Sequence, residues 1–359
     1  MSGPLAWTAA SPAGPLEITI NLAKPEKDPR DIARAAAGGR GSTVRAEEDV
    51  RATEAGTGDG AQGAAAAPAA AEDCVLCWHR STNGSLICAG AGGGAVRSVL
   101  LGDEEWAWWF SPYGYFPEHL IASAPVHRPM SIDHAAIARL FDFADAFPRW
   151  FIGSNADLPI VGGSLLAHDH FQGGGHRFPL MNAPVERAFK LSGLSGVHAG
   201  IVHWPASVVR LRGSRRETVR EGACRVLDAW RGFSWGPGGI VPFTRNADGT
   251  VAQHSTLNPI LWREGDDYVM DLVLRNNRTT PERPFGLFHV PETLFHIKKE
   301  NIGLIEIMGR AILPGRLAAE MPAVKGECER AYYEILQATG VFKRNEVGRA
   351  GWDALLGAV

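Results

Sequence analysis

From Ala35 to Glu72 the chain reads AAAGGRGSTVRAEEDVRATEAGTGDGAQGAAAAPAAAE, with no aromatic side chain and almost no branched apolar one. Such a segment cannot bury enough surface to offset the entropy of ordering it, so a disordered insertion is expected there. A helix through the alanines is the competing reading. What folds must therefore come from a short N-terminal piece, residues 1–34, and from the chain beyond residue 72.

Those pieces carry the material of a core. Of 359 residues, 45% are hydrophobic and 21% charged, the balance of a soluble globular protein with two domains or one large one. Lys and Arg number 36 against 39 Asp and Glu, a net charge of −3, and no basic run creates a local field, which argues against a nucleic-acid partner. No apolar run reaches the roughly 18–20 residues that span a bilayer, so no membrane partner is expected. The start, MSGPLAWTAASPAGPLEITI, has neither the basic nor the apolar region of a signal peptide, and a cytoplasmic location is expected. Five cysteines, an odd and sparse set, do not make a disulfide framework.

Leu16 to Leu22 alternates as a half-buried strand does, Pro25 and Pro29 mark a turn, and a short helix is expected near Asp31. EEWAWWFSPYGYFPEHLIASA is strand-like. SIDHAAIARLFDFADAF is helical, with Ser131 or Asp133 as N-cap and an apolar stripe at Ile137, Leu140, Phe141 and Ala144. Ser214 to Phe233 reads as a second helix, DYVMDLVLRNN as a strand, ENIGLIEIMGRAIL as helical, and AVKGECERAYYEILQATG as a last amphipathic helix. Strands and helices mix without the regular alternation of a doubly wound sheet, which favours α+β.

Two patterns point to chemistry. In SNADLPIVGGSLLAHDHFQGGGHRFP, His168 and His170 lie two residues apart, followed by Gln172 and flanked by glycines at 162, 163, 173, 174 and 175. On a strand both imidazoles project to one face, and glycines let backbone approach a ligand closely. An isolated H-x-H is equally the pattern of a polar turn. Cys74 and Cys77 form a C-x-x-C pair, either two small buried residues or half of a tetrahedral zinc site that needs two more ligands. His127 and His168 are candidates, although spacing alone does not choose them from the twelve histidines.

Four segments carry a family resemblance: LEITINLAKPEKDP, GSNADLPIVGGSLLAHDHFQGG, LRNNRTT and HIKKENIGLIEIMGRAILPGRL. Together they resemble the galactose-1-phosphate uridylyltransferases of the second bacterial type, within the histidine-triad-like superfamily. The likeness covers nearly all of the chain outside the Ala/Gly insertion. It implies two histidine-triad-like halves, residues 73–195 with the N-terminal strand and helix attached, and residues 196–359, each with an antiparallel sheet packed by helices. Wider relatives carry H-P-H-G-Q where this chain has HDHFQ, which implies His170 as nucleophile, Gln172 as a phosphate contact, and His168 with Cys74, Cys77 and His127 as zinc ligands. Asn155, Gly162, Gly163 and Ser164 are implied to contact nucleotide or phosphate, and Lys298, Lys299, Asn301 and Glu306 the hexose and its phosphates.

The implied reaction moves UMP from UDP-glucose to galactose 1-phosphate by two displacements at one histidine, in a homodimer. A neutral imidazole is a competent nucleophile, and its Nδ1–H needs a fixed acceptor, for which the His168 carbonyl is the candidate. Gln172 can donate to a phosphoryl oxygen but cannot activate water, which sets the transferase apart from H-x-H-x-H hydrolases. A hydrolase or another nucleotidyltransferase of the same superfamily is the rival enzyme, and a zinc-stapled nucleotide-binding protein the non-catalytic one. The resemblance implies three departures. Proteins of this type usually carry a further N-terminal helical region, against which this sequence reads as an abbreviated form or a later start; the Ala35–Glu72 insertion replaces a shorter link before Cys74; and Pro291 stands where relatives have the second histidine of F-H-P-H near His289. A second metal held there with Glu186 would lack that ligand.

Overall fold

The computed structural model describes residues 5–22, 74–163, 165–246 and 248–359. The Ala35–Glu72 insertion, the turn at Pro25 and Pro29, the helix expected near Asp31, and Ser164 lie outside them.

In chain order come β1 (Ala6–Ala9), β2 (Leu16–Asn21), β3 (Trp78–Arg80) and β4 (Leu86–Cys88). Next are β5 (Arg97–Leu101), β6 (Glu104–Phe110), β7 (Leu120–Ser123), helix α1 (His134–Ala146), β8 (Phe151–Gly153) and β9 (His170–Gly174). A short helix α2 (Pro179–Asn182) leads to β10 (Val185–Phe189), β11 (His198–Val202), β12 (Val208–Gly213) and helix α3 (Arg216–Gly232). The small hairpin β13 (Phe243–Arg245) and β14 (Val251–Gln253) precedes β15 (Ser255–Glu264) and β16 (Asp267–Asn276). The chain closes with α4 (Leu304–Ile307), β17 (Arg310–Pro314), α5 (Lys325–Thr339) and α6 (Glu346–Leu356).

Ten strands form one antiparallel sheet in the order β5-β6-β7-β9-β8-β15-β16-β12-β11-β10. Counted inward from either edge the connectivity is the same: three sequential strands, then the fifth, then the fourth, with a helix between the third and fourth. The α+β class is as expected, and the chain holds two halves of equal topology. They do not carry separate sheets, however. β8 and β15 pair at Ile152↔Leu261 and Gly153↔Ile260, fusing the halves at their innermost strands.

Three expectations are corrected. The N-terminal strand does not join the first half; β2 runs parallel to β17, from Glu17↔Arg310 to Asn21↔Pro314. Its buried Leu16, Ile18 and Ile20 share a core with Ile305, Ile307 and Leu313, so apolar burial sets the pairing. The boundary between halves falls between Gly174 and Val185 rather than at 195, because β10 is the outer strand of the second half. Finally, ENIGLIEIMGRAIL is helical only over Leu304–Ile307. Gly309, at φ +103°, turns the chain out of the helix and into β17.

Helices α1 and α3 cover one face of the sheet. Asp133 caps α1, its Oδ1 accepting from the Ala136 N–H (2.7 Å). Ile137, Leu140 and Phe141 of α1 meet Val219, Val226 and Trp230 of α3 in one core that also takes Phe171 of β9. The opposite face is split. Over the second half lie β2, β17, α4 and α5. Over the first half sits a small cluster of Leu76, Cys88, Ala91, Ala107 and Trp109, with Cys74 and Ile121 at its margin. Because Phe171 stacks on Trp106 on the helical side (4.9 Å), strand alternation sends His170 and Gln172 to this second face.

Candidate active site and metal cluster

The Cys74–Cys77 turn, the segment after β7 and the lead into β9 converge. The ligand atoms of Cys74, Cys77, His127 and His168 all lie within 4.8 Å of one another, a group able to hold a metal ion. His168 Nδ1 is 3.3 Å from Cys74 Sγ and 3.6 Å from Cys77 Sγ, and His127 Nδ1 is 3.4 Å from Cys77 Sγ. The His168 tautomer follows from its other contacts. Nε2–H donates to the Ala124 carbonyl (3.0 Å) and lies 3.2 Å from Ser123 Oγ, so Nδ1 is the bare nitrogen facing the sulfurs. Burial pushes the His168 pKa down to about 4, which keeps the ring neutral as a ligand must be. Backbone bonds from Asp169 N–H to the Arg128 carbonyl (2.7 Å) and an Arg128–Asp169 ion pair tie the two ligand-bearing segments together.

His170 opens β9, with His168 just ahead of the strand. The His170 side chain is buried, and its Nδ1–H donates to the His168 carbonyl at 2.8 Å, the contact expected from the sequence. Nε2 keeps its lone pair and makes no hydrogen bond among the described residues. Burial lowers the His170 pKa, so the neutral, nucleophilic form prevails.

Gln172 follows two residues on, on the same face, and its Oε1 lies 3.1 Å from His119 Nε2. The sequence reading passed over His119. Its contact depends on the pairing of β7 with β9, which joins residues far apart in sequence and leaves no local signal.

The other expected substrate residues are placed as follows. Asn155 is buried, and its Oδ1 accepts from the Leu304 N–H (2.8 Å), so the run around Asn155 adjoins the run from Lys298 to Glu306. Gly163 has a steric reason of its own: a Cβ there would come within 2.7 Å of Asn155 Nδ2. Lys298 and Glu306 are both buried and form an ion pair (2.7 Å). Asn301 Oδ1 lies 3.2 Å from His289 Nε2, and Lys299 is half-buried. Glu186, which relatives would offer to a second metal, is held by Arg344 and by His203 Nδ1 (2.9 Å).

Topology and site together define an α+β protein with one sheet of two equally ordered halves, a Cys2His2 cluster and a buried histidine whose ring is fixed by a backbone carbonyl. A family model for the galactose-1-phosphate uridyl transferase C-terminal domain matches residues 143–338. Proteins named galactose-1-phosphate uridylyltransferase are 44% identical in Halalkalibacterium halodurans (88% of this chain, 56% of that one) and 43% in Bacillus subtilis (88% and 55%). The protein of that name from Lacticaseibacillus paracasei is 39% identical over 96% of this chain and 72% of its own length. The chain belongs to the galactose-1-phosphate uridylyltransferase family. It spans about half the length of the first two of these relatives, 56% and 55%.

Proposed function

We propose that this chain transfers UMP from UDP-glucose to galactose 1-phosphate through a uridylyl-histidine at His170, with a homodimer as the working unit. The observation that carries the reading is the 2.8 Å bond from His170 Nδ1–H to the His168 carbonyl, which fixes the ring and leaves the Nε2 lone pair free. In the first half-reaction Nε2 attacks the α-phosphorus, the bond from that phosphorus to the bridging oxygen breaks, and glucose 1-phosphate leaves with the electron pair. In the second, a phosphate oxygen of galactose 1-phosphate attacks the same phosphorus and the P–N bond breaks, restoring neutral His170. Gln172 donates from its amide NH2 to a non-bridging phosphoryl oxygen as charge builds there.

The proposed ion is zinc, held by Cys74, Cys77, His127 and His168. Ligand distances of about 2.3 Å to sulfur and 2.0–2.1 Å to nitrogen place tetrahedral N···S neighbours about 3.6 Å apart. The three N···S separations here run from 3.3 to 3.6 Å, which supports that donor set. Bound there, the ion supplies a rigid anchor for His168, whose carbonyl orients His170. Asn155, Gly162, Gly163, Ser164, Lys298, Lys299, Asn301 and Glu306 are proposed to border the nucleotide and hexose, supported by the Asn155–Leu304 bond that brings the two runs together. Among the described residues no helix is long and apolar enough to cross a membrane, and all five cysteines are free, which supports a reducing, cytoplasmic setting.

Incubation with UDP-glucose and no acceptor tests the reading. One glucose 1-phosphate should be released per site before the reaction stalls, with an acid-labile UMP adduct on the peptide containing His170. Sustained turnover with water as acceptor, or an adduct elsewhere, would overturn it in favour of a hydrolase or a different nucleophile.

A further inference from the structure

A glutamine amide has two ends of nearly equal shape and opposite hydrogen-bonding character. If Gln172 supports phosphoryl transfer, only one orientation helps. With NH2 toward the phosphoryl group the amide stabilises charge; with the oxygen there it opposes it. Something must distinguish the ends, and the strand pairing puts one side chain in place to do so. Ile121 lies directly opposite Gln172 in the β7–β9 ladder. His119 is two residues before Ile121, so it shares that face and meets Gln172 on the diagonal.

His119 is closely held. It is 3% exposed, stacked by Tyr115 (5.3 Å between ring centroids) and packed against Phe116 (4.7 Å). Its backbone carbonyl accepts from the Ser111 N–H (2.7 Å), and its N–H donates to the Phe116 carbonyl (3.2 Å). The preceding residue, Glu118, sits at φ +60°, a left-handed conformation that a side-chain-bearing residue adopts at a cost. The Glu118 carbonyl is only 2.3 Å from where a Cβ on Gly174 would lie, so the glycine after Gly173 makes room for this entry.

The ring's two nitrogens settle the tautomer. Nδ1 is buried with no hydrogen-bond partner, while Nε2 faces Gln172 Oε1 at 3.1 Å. A proton on Nδ1 would strand a buried N–H, the rarer and costlier kind of unsatisfied group. A proton on Nε2 has an acceptor. Burial also lowers the His119 pKa to about 4, so the ring carries one proton at neutral pH rather than two.

We infer that His119 is the positioning residue for Gln172: its Nε2–H holds the carboxamide oxygen and thereby presents the amide NH2 to the transferred phosphoryl group. The second part of this statement rests on the transferase reading; the first does not. His119 itself touches no reacting atom.

The test has two arms. In ¹⁵N spectra of the wild-type chain at neutral pH, His119 should show a protonated Nε2 and a bare Nδ1, and Gln172→Ala should shift the Nε2 resonance. A proton found on Nδ1 overturns the inference whether or not the chain transfers UMP. In the second arm, His119→Phe keeps an aromatic ring but removes the donor. It should lower kcat for uridylylation by roughly 10- to 10²-fold, below the roughly 10²–10³ expected from losing the donor itself, with KM for UDP-glucose little changed. His119→Gln, whose amide nitrogen falls near the position of Nε2, should recover most of the rate. In a Gln172→Ala background, His119→Phe should cost nothing further, because the group it positions is gone. An equal loss in that background, or no rescue by glutamine, would reduce His119 to a packing role. Wild-type chain with no exchange at all but the expected tautomer would sink the transferase reading and leave the hydrogen bond standing.

Discussion

The two halves of the sheet share one strand order and one helix position, yet they use their fifth strands differently. β9 is short, opens on His170, and ends in two glycines. β16 occupies the matching place, runs for 10 residues and contains no histidine. It pairs with β15 along its whole length, from Asp267↔Glu264 to Asn276↔Ser255. Its central Asp271 is fully buried and gripped by Arg210 through two bonds of 2.6 and 2.7 Å. The same guanidinium donates to the Leu180 and Ala183 carbonyls (2.8 and 2.7 Å), so this strand anchors α2 and the start of the second half. One topology thus supports two ends. Where the strand is short and entered beside the Cys2His2 cluster, it carries the residues proposed to react; where it is long and fully paired, it carries a buried ion pair that ties neighbouring elements together.

The largest expected effect lies on β9. His170→Gly should remove both half-reactions and the UMP adduct, since Gln172 is no nucleophile and His168 has its bare nitrogen turned to Cys74 and Cys77. Exchange rates and peptide mass spectrometry check this; residual ping-pong exchange would end the asymmetry between the halves.

Next comes the metal turn, which has no counterpart in the second half among the described residues. Cys74→Ser should lose the ion, read by metal analysis. Binding energy at such a site is also folding energy. Tm should therefore fall by well over the roughly 2–4 °C that about 1 kcal/mol moves in a large domain. Full metal content in the variant would remove Cys74 from the cluster. Gln172→Ala should be milder, roughly 10²–10³-fold in both half-reactions. Metal content should stay near wild type, while Tm should fall modestly, because the variant leaves the buried His119 Nε2–H without its acceptor.

These predictions also mark what could be read before the fold was known. Cys74, Cys77, His127 and His168 were legible because metal chemistry restricts residue types and a family resemblance chose among the histidines. Helices α1 and α3 were legible, the first from its apolar stripe, and residue type narrowed the α1 cap to Ser131 or Asp133, of which the structure selects Asp133. Long-range strand pairing was not. β8 is a three-residue strand, and its junction with β15 rests on two residue pairs, too little for any periodicity to announce. β17 hid inside a helical pattern because Leu304–Ile307 and Arg310–Pro314 are both mostly apolar, and only Met308 and Gly309 separate them. Lys298 and Glu306 were singled out from the resemblance as hexose and phosphate contacts; that they are buried and paired with each other was not legible, because it depends on how the chain around them folds.

The smallest expected effect is the one that most directly sharpens the contrast. Tyr268, the second residue of β16, donates from its hydroxyl to Asp145 Oδ1 at 2.5 Å, while the Arg263 guanidinium lies 3.9 Å above its ring. Tyr268→Phe keeps the ring, the packing and the cation over its face, and removes only the hydroxyl. Asp145 retains its ion pairs with Arg216 and Arg263, so no buried charge is stranded. The loss should be the net worth of one hydrogen bond, roughly 0.5–1.5 kcal/mol of stability by denaturant titration. Uridylyl exchange should be unchanged, because Tyr268 packs against Phe141 on the helical side of the sheet, the face opposite His170. Gln172→Ala and Tyr268→Phe then form a pair on the fifth strands of the two halves, each costing some stability and only the first costing rate. If Tyr268→Phe instead slows exchange with Tm and metal content intact, the second half takes part in the chemistry, and the division between a reactive end and a scaffold end fails.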